Sequence, residues 1–80
     1  TPATCDILAI MLRDSARIQR EDARGATLAD PQGTTVVEPL FEPHDVEWMM
    51  ENVRRLPYET PEQIVPGVTL TYHDAGHILG

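Results

Sequence analysis

The chain carries three histidines, His44, His73 and His77. A neutral imidazole nitrogen is a good zinc donor, and a catalytic zinc keeps one position open for water. His77 has the most suggestive surroundings. It follows Gly76 directly, and Gly80 comes three residues later. Glycine takes positive φ and tolerates close approach, so Gly76-His77 can swing a side chain sharply off the end of a strand. A ring placed that way serves as a metal ligand or catalytic group, or simply as a hydrogen-bonded structural residue, and spacing alone leaves both open. His73 and His77 are four apart, which on a helix would put both on one face as a chelating pair. Gly76, Gly80 and the alternation before them argue against a helix. His44 falls in the first turn of a helical pattern and reads as solvated. Asp74 either orients His77 as an acceptor or is a turn residue. Ser15 and Cys5 sit on a helical pattern with no histidine nearby in sequence, so no nucleophilic triad is arguable. There is no glycine-rich phosphate loop, no zinc-finger spacing and no internal repeat.

The string Asp74-Ala75-Gly76-His77-Ile78-Leu79-Gly80 resembles the third metal-binding motif of metallo-β-lactamase-fold hydrolases. Among these, it is most similar to the β-CASP ribonucleases, relatives of the cleavage and polyadenylation endonuclease. The opening Thr1-Pro2-Ala3-Thr4 and the segment from Met11 to Gln19 resemble the same branch, where a helical region precedes this motif. The resemblance implies a zinc-dependent hydrolase, of ribonuclease type, that cleaves RNA phosphodiesters by metal-activated water. It implies two zinc ions in the parent protein, with His77 as a metal ligand and no catalytic residue of its own in this stretch. It also implies a parent αββα sandwich with metals at the rim between the sheets. That family's His-x-His-x-Asp-His cluster does not occur here, and its later aspartate and β-CASP histidines would lie beyond Gly80. The expectation is therefore an internal fragment, residues 1–80 of a partial metallo-β-lactamase-fold domain. It should be inactive alone, partnered by the rest of the parent chain, and linked to RNA through parts it lacks.

Composition agrees with such a piece. Eighty residues make one small domain at most, and a chain of that size buries only roughly 60–65% of its unfolded surface. Hydrophobic residues form 41% of the chain, enough for a core. The net charge is −7, with six arginines and no lysine. That argues against a bare electrostatic grip on nucleic acid. The lone Cys5 forms no internal disulfide, which suits a reducing cytoplasm. No apolar run is long enough to span a membrane, and no signal peptide is visible.

The elements that must position His77 read as α+β: two helical regions and a β-hairpin. Residues 1–23 form the first helical region, capped by Thr1 or Thr4, with Pro2 in its first turn and Asp6 near its positive end. Ile7, Leu8, Ile10, Met11 and Leu12 are apolar nearly all round, so this part should be buried on most sides. Arg13-Asp14-Ser15 interrupts it, which predicts a bend or two short helices. Residues 24–42 read as a loop, with a turn at Asp30-Pro31-Gln32-Gly33 and a short edge strand at Thr34-Thr35-Val36-Val37. Residues 43–56 form the clearest helix, opened by Pro43 and Asp45, closed by Arg54 and Arg55, and stopped by Pro57. Val46, Met49, Met50 and Val53 make one stripe, and Trp48 projects from the other side. Residues 57–80 hold the hairpin and the metal motif. Glu62–Val65 and Val68–Tyr72 flank a type II turn at Pro66-Gly67.

Two other functions stay open. One is a non-catalytic acidic α+β module whose Trp48 face binds a protein. The other is a hydrolase of the same fold acting on something other than RNA.

Overall fold

The computed structural model describes residues 1–30, 32–33 and 36–80. They form two helices and a two-stranded antiparallel sheet: α1 (Pro2–Leu28), α2 (Pro43–Glu51), β1 (Glu62–Val65) and β2 (Val68–Leu70). The chain divides into two compact units. One comprises Thr1–Leu8 and Val53–Gly80, and the other Ala9–Asn52. Helix α1 starts in the first and continues in the second.

Helix α1 corrects the expected boundary of the helical region 1–23 and of the loop 24–42. It runs uninterrupted for 27 residues. Arg13-Asp14-Ser15 does not break it, because polar residues cost a helix only tenths of a kcal/mol each. Arg17 also strengthens that stretch. It donates to Asp14 one turn back and to Glu21 one turn on, both at 2.9 Å. Gly25 does not stop the helix either. It is followed by Ala26 and Thr27, and the Thr27 hydroxyl donates back to the Ala23 carbonyl at 2.9 Å. The N–H of Ala29 closes the last turn on Gly25 O at 3.0 Å.

Among the described residues of the Ala9–Asn52 unit, Ala16, Ala23 and Val46 are buried. Two of the three are alanines, so the core is small. Ile10 and Met11 are mostly exposed, against the expectation of a helix covered on most sides. After α1, the Gly33 N–H donates to Asp30 O at 3.1 Å and the Gln32 N–H to Asp30 Oδ1 at 3.2 Å, as the turn there predicts. Pro31, Thr34 and Thr35 lie outside the described residues, and Val36 and Val37 are not in a strand. Leu40 N–H donates to Gln19 Oε1 at 3.0 Å, tying the connection to α1.

Helix α2 begins as the sequence indicates, with Pro43 first and the Asp45 carboxylate accepting the Glu42 N–H at 2.8 Å. It ends at Glu51, five residues short of the expected 43–56 span. Asn52 is the reason. Its backbone N–H caps Met49 O, and its side-chain amide donates to Trp48 O at 2.8 Å. That satisfies carbonyls a further turn would otherwise use. Within α2 the predicted stripe is present in part, with Val46 buried and Met49 and Met50 half-buried; Val53 lies beyond the helix end, in the other unit. Trp48 is exposed on the other side.

In the other unit, β1 matches its predicted bounds and β2 is shorter than expected. Pro66-Gly67 makes the turn, with Gly67 at φ +80° as a type II turn requires. The ladder pairs Glu62 with Leu70 and Val65 with Val68, with an irregularity between Gln63 and Val65. Tyr72 leaves β2 and forms a separate parallel bridge to Tyr58. Among the described residues no helix is long and apolar enough to cross a membrane.

Candidate metal motif

The hairpin delivers the chain to the motif in three steps. First, Tyr72 O accepts the Glu59 N–H at 2.9 Å, with Glu59 in the left-handed region at φ +55°. Next, His73 Nδ1 lies 2.8 and 2.9 Å from the two Glu59 carboxylate oxygens. Then Asp74 Oδ1 accepts the Gly76 N–H at 2.8 Å, and Gly76 adopts φ +64°. The carboxylate thus stabilises the bend that sets the direction of His77. Of the two roles open to Asp74, the structure shows the turn role.

His77 comes next. Its side chain is exposed, and no hydrogen bond or ion pair engages the ring among the described residues. Ile78 and Leu79 follow, about three-quarters exposed at 76% and 73%. The segment is not helical, so His73 and His77 do not form a chelating pair of the helical kind. His73 is instead committed to Glu59. His44 is exposed in the first turn of α2, with Asp45 Oδ1 3.3 Å from Nε2 and Glu42 Oε2 3.6 Å from Nδ1.

Gly80 closes the motif at φ +85° against the start of α1. A Cβ there would strike the Thr4 hydroxyl and lie 2.8 Å from the Thr4 backbone nitrogen. The Gly80 carbonyl accepts from Thr4 Oγ1 at 2.7 Å and from Thr1 Oγ1 at 3.1 Å. Thr1 also caps the helix, taking the Thr4 N–H at 3.4 Å. Nearby, Arg55 donates to Asp6 at 2.6 Å and to Pro2 O at 3.4 Å. The hydrogen bond to Asp6, and then its charge, raise the Arg55 pKa above the ordinary value. Sequence reasoning missed Thr1, Thr4, Glu59 and Arg55 as contributors. The Thr4–Gly80 pair is 76 positions apart, and no local pattern reports a contact at that separation.

Among the described residues no group of three or more His, Cys, Asp or Glu side chains is close enough together to hold a metal ion. These residues alone therefore do not fit a zinc site, which needs at least three protein donors. Among the described residues, His77 is the one imidazole with no hydrogen-bond or ion-pair partner. The arginines are largely committed: Arg13 to Glu47, Arg17 to Asp14 and Glu21, Arg54 to Glu62, and Arg55 to Asp6. Cations engaged by carboxylates are poorly placed to take up phosphates.

Over all 80 residues the chain is 32% identical to transcription termination factor FttA of Thermococcus kodakarensis. It is 30% identical, over the same length, to the factors of that name from Pyrococcus abyssi and Pyrococcus horikoshii. It spans 10% of the length of each of these relatives. No family model matches the chain. No solved structure matches it either.

Proposed function

We propose that the chain is part of a metal-dependent hydrolase, a zinc ribonuclease of the β-CASP type with an αββα parent fold. In this reading it contributes His77 to a metal site whose other donors lie outside these 80 residues. One observation carries the reading. The ring of His77, in a string that resembles the family's third motif, is exposed and unengaged after a bend held by Asp74. Similarity along the whole chain to transcription termination factors supports an RNA-linked role.

Zinc held by His77 together with donors outside these 80 residues would supply a water with a pKa near neutrality. The work of this chain is to hold one neutral imidazole, on a bend fixed by Asp74 and Gly76, at the end of a short hairpin. Its acidic balance leaves contact with RNA phosphates to other parts of the protein. The test uses the full-length protein. His77→Ala should lose bound zinc and RNA cleavage by more than the roughly 10–100-fold that loss of an outer-shell partner brings. Metal content and cleavage rate equal to those of the unchanged protein remove His77 from the site.

A further inference from the structure

We infer that a hollow in the Ala9–Asn52 unit receives a basic segment of the parent protein from outside these 80 residues. An apolar side chain of that segment fills the hollow, and a neighbouring lysine or arginine meets the carboxylates at its edge. This assignment needs the chain to be one part of a longer protein, and it does not use the metal reading of His77.

Two depressions of this unit meet at Asp45. One is apolar, lined by Leu12, Phe41, Val46 and Met49 with Asp45 beside them. Val46 is buried, and Leu12, Phe41 and Met49 are half-buried. Such a wall gains about 25 cal/mol for each Å² that an apolar group covers. The other depression is polar, lined by Glu38, Pro39, Glu42, His44 and Asp45. A short peptide with an apolar and a cationic side chain side by side would satisfy both.

Charge decides which occupant fits. Residues 38–51 hold five carboxylates and no lysine or arginine. Glu47 is taken by Arg13. Glu42 and Asp45 face His44, at 3.6 and 3.3 Å. Among the described residues no arginine lines either depression. The chain has no lysine at all, so the cation that balances this edge comes from elsewhere. A second copy would set the same carboxylates against each other. Nucleic acid or an anionic lipid would add phosphates to them. Like charges at short range oppose all three. The relatives point to the source, because the chain spans only 10% of their length. A segment tethered in the same chain is present at an effective concentration on the order of millimolar, ahead of a separate protein.

The experiment uses the full-length protein with a diazirine analogue of methionine at position 49, which light couples to whatever touches it. Mass spectrometry reads the linked peptide, and the mass of the denatured product tells one chain from two. The expected product is an internal link to a segment outside residues 1–80 that carries lysine or arginine beside the linked residue. Glu38→Lys should lower its yield about fivefold. Replacing the captured cation by glutamate in the same protein should restore it. Glu38 is exposed in the connection before α2, so the reversal leaves the core alone. Coupling to water alone, to a second copy, or only within residues 1–80 overturns the inference. So does an internal link to a segment without lysine or arginine, or one whose yield ignores Glu38→Lys. The metal content of His77→Ala decides the metal reading by itself, so the two fail separately.

Discussion

Arg13 and Glu47 meet through two parallel hydrogen bonds, Nε to Oε1 at 2.7 Å and Nη2 to Oε2 at 3.0 Å. The fork joins α1 to α2 inside the Ala9–Asn52 unit, next to the buried Val46. Both side chains are more than half exposed, so water and salt weaken the pair. Its value is mainly geometric. A guanidinium fork donates to a carboxylate in one orientation, so the pair links one point on α1 to one on α2 in a defined geometry.

The pair should be visible in a pH titration. Hydrogen bonding from Arg13, with a smaller contribution from its charge, holds the Glu47 carboxyl below the usual carboxylate range. The folded value is depressed, so the contribution of the pair is present above the unfolded pKa. It is lost as pH falls through the lower, folded value. Carbon-detected NMR should find Glu47 among the more acidic glutamates, and Arg13→Ala should move it upward. Identical titration curves in the two proteins would mean that the fork does not persist in solution.

Two glycines should respond in opposite directions to alanine. Gly25 lies in α1 with nothing within 4 Å of where a Cβ would stand. Gly25→Ala should stabilise the helix by about 1 kcal/mol, the propensity difference between the two residues. Gly67 has equally open space but sits at φ +80°. There alanine should cost about 1–2 kcal/mol, because its Cβ crowds the following carbonyl in the left-handed region. Amide exchange of α1 and of the β1–β2 ladder, read in the same samples, separates the two effects. Equal responses would contradict the helical placement of Gly25.

What the sequence revealed follows the range of the forces involved. Pro43 and Asp45 opening α2, the stripe from Val46 to Met50, and the Pro66-Gly67 turn are local signals, and the structure has them in place. The ends of helices were harder to read. Asn52 stops α2 by turning its own amide onto Trp48 O, an option that Asn carries at many positions without using it. Helix α1 runs past residue 23 and through Gly25, because glycine weakens a helix without forbidding one. The presentation of His77 was legible in part. The Asp74–Gly76 bend lies within the motif, but Glu59 and Thr4 reach it from 14 and 76 residues away. Those partners are set by chain folding, and spacing carries no trace of them.

The last prediction concerns the uncovered apolar surface. Leu40 is 92% exposed, Ile10 69%, Trp48 68% and Met11 63%, and among the described residues no large side chain is fully buried. A hollow lined by Leu12, Phe41, Val46 and Met49, with Asp45 beside them, stands open in the same unit. Apolar surface left in water costs about 25 cal/mol per Å² relative to burial, so these faces should be sticky when the 80 residues stand alone. The isolated chain should associate or bind a hydrophobic dye, and it should melt without a sharp transition. Sedimentation velocity over a range of concentrations and a calorimetric scan measure both. A monomer with a cooperative transition would show that the chain needs no cover and would favour an independent interaction module. Trp48 adds a second readout, because its indole is open to a soluble quencher in the isolated chain. In full-length protein, a Trp48 face covered by the rest of the fold would deny the quencher access. Quenching as efficient there as in the isolated chain would leave the Trp48 face free for a separate protein partner.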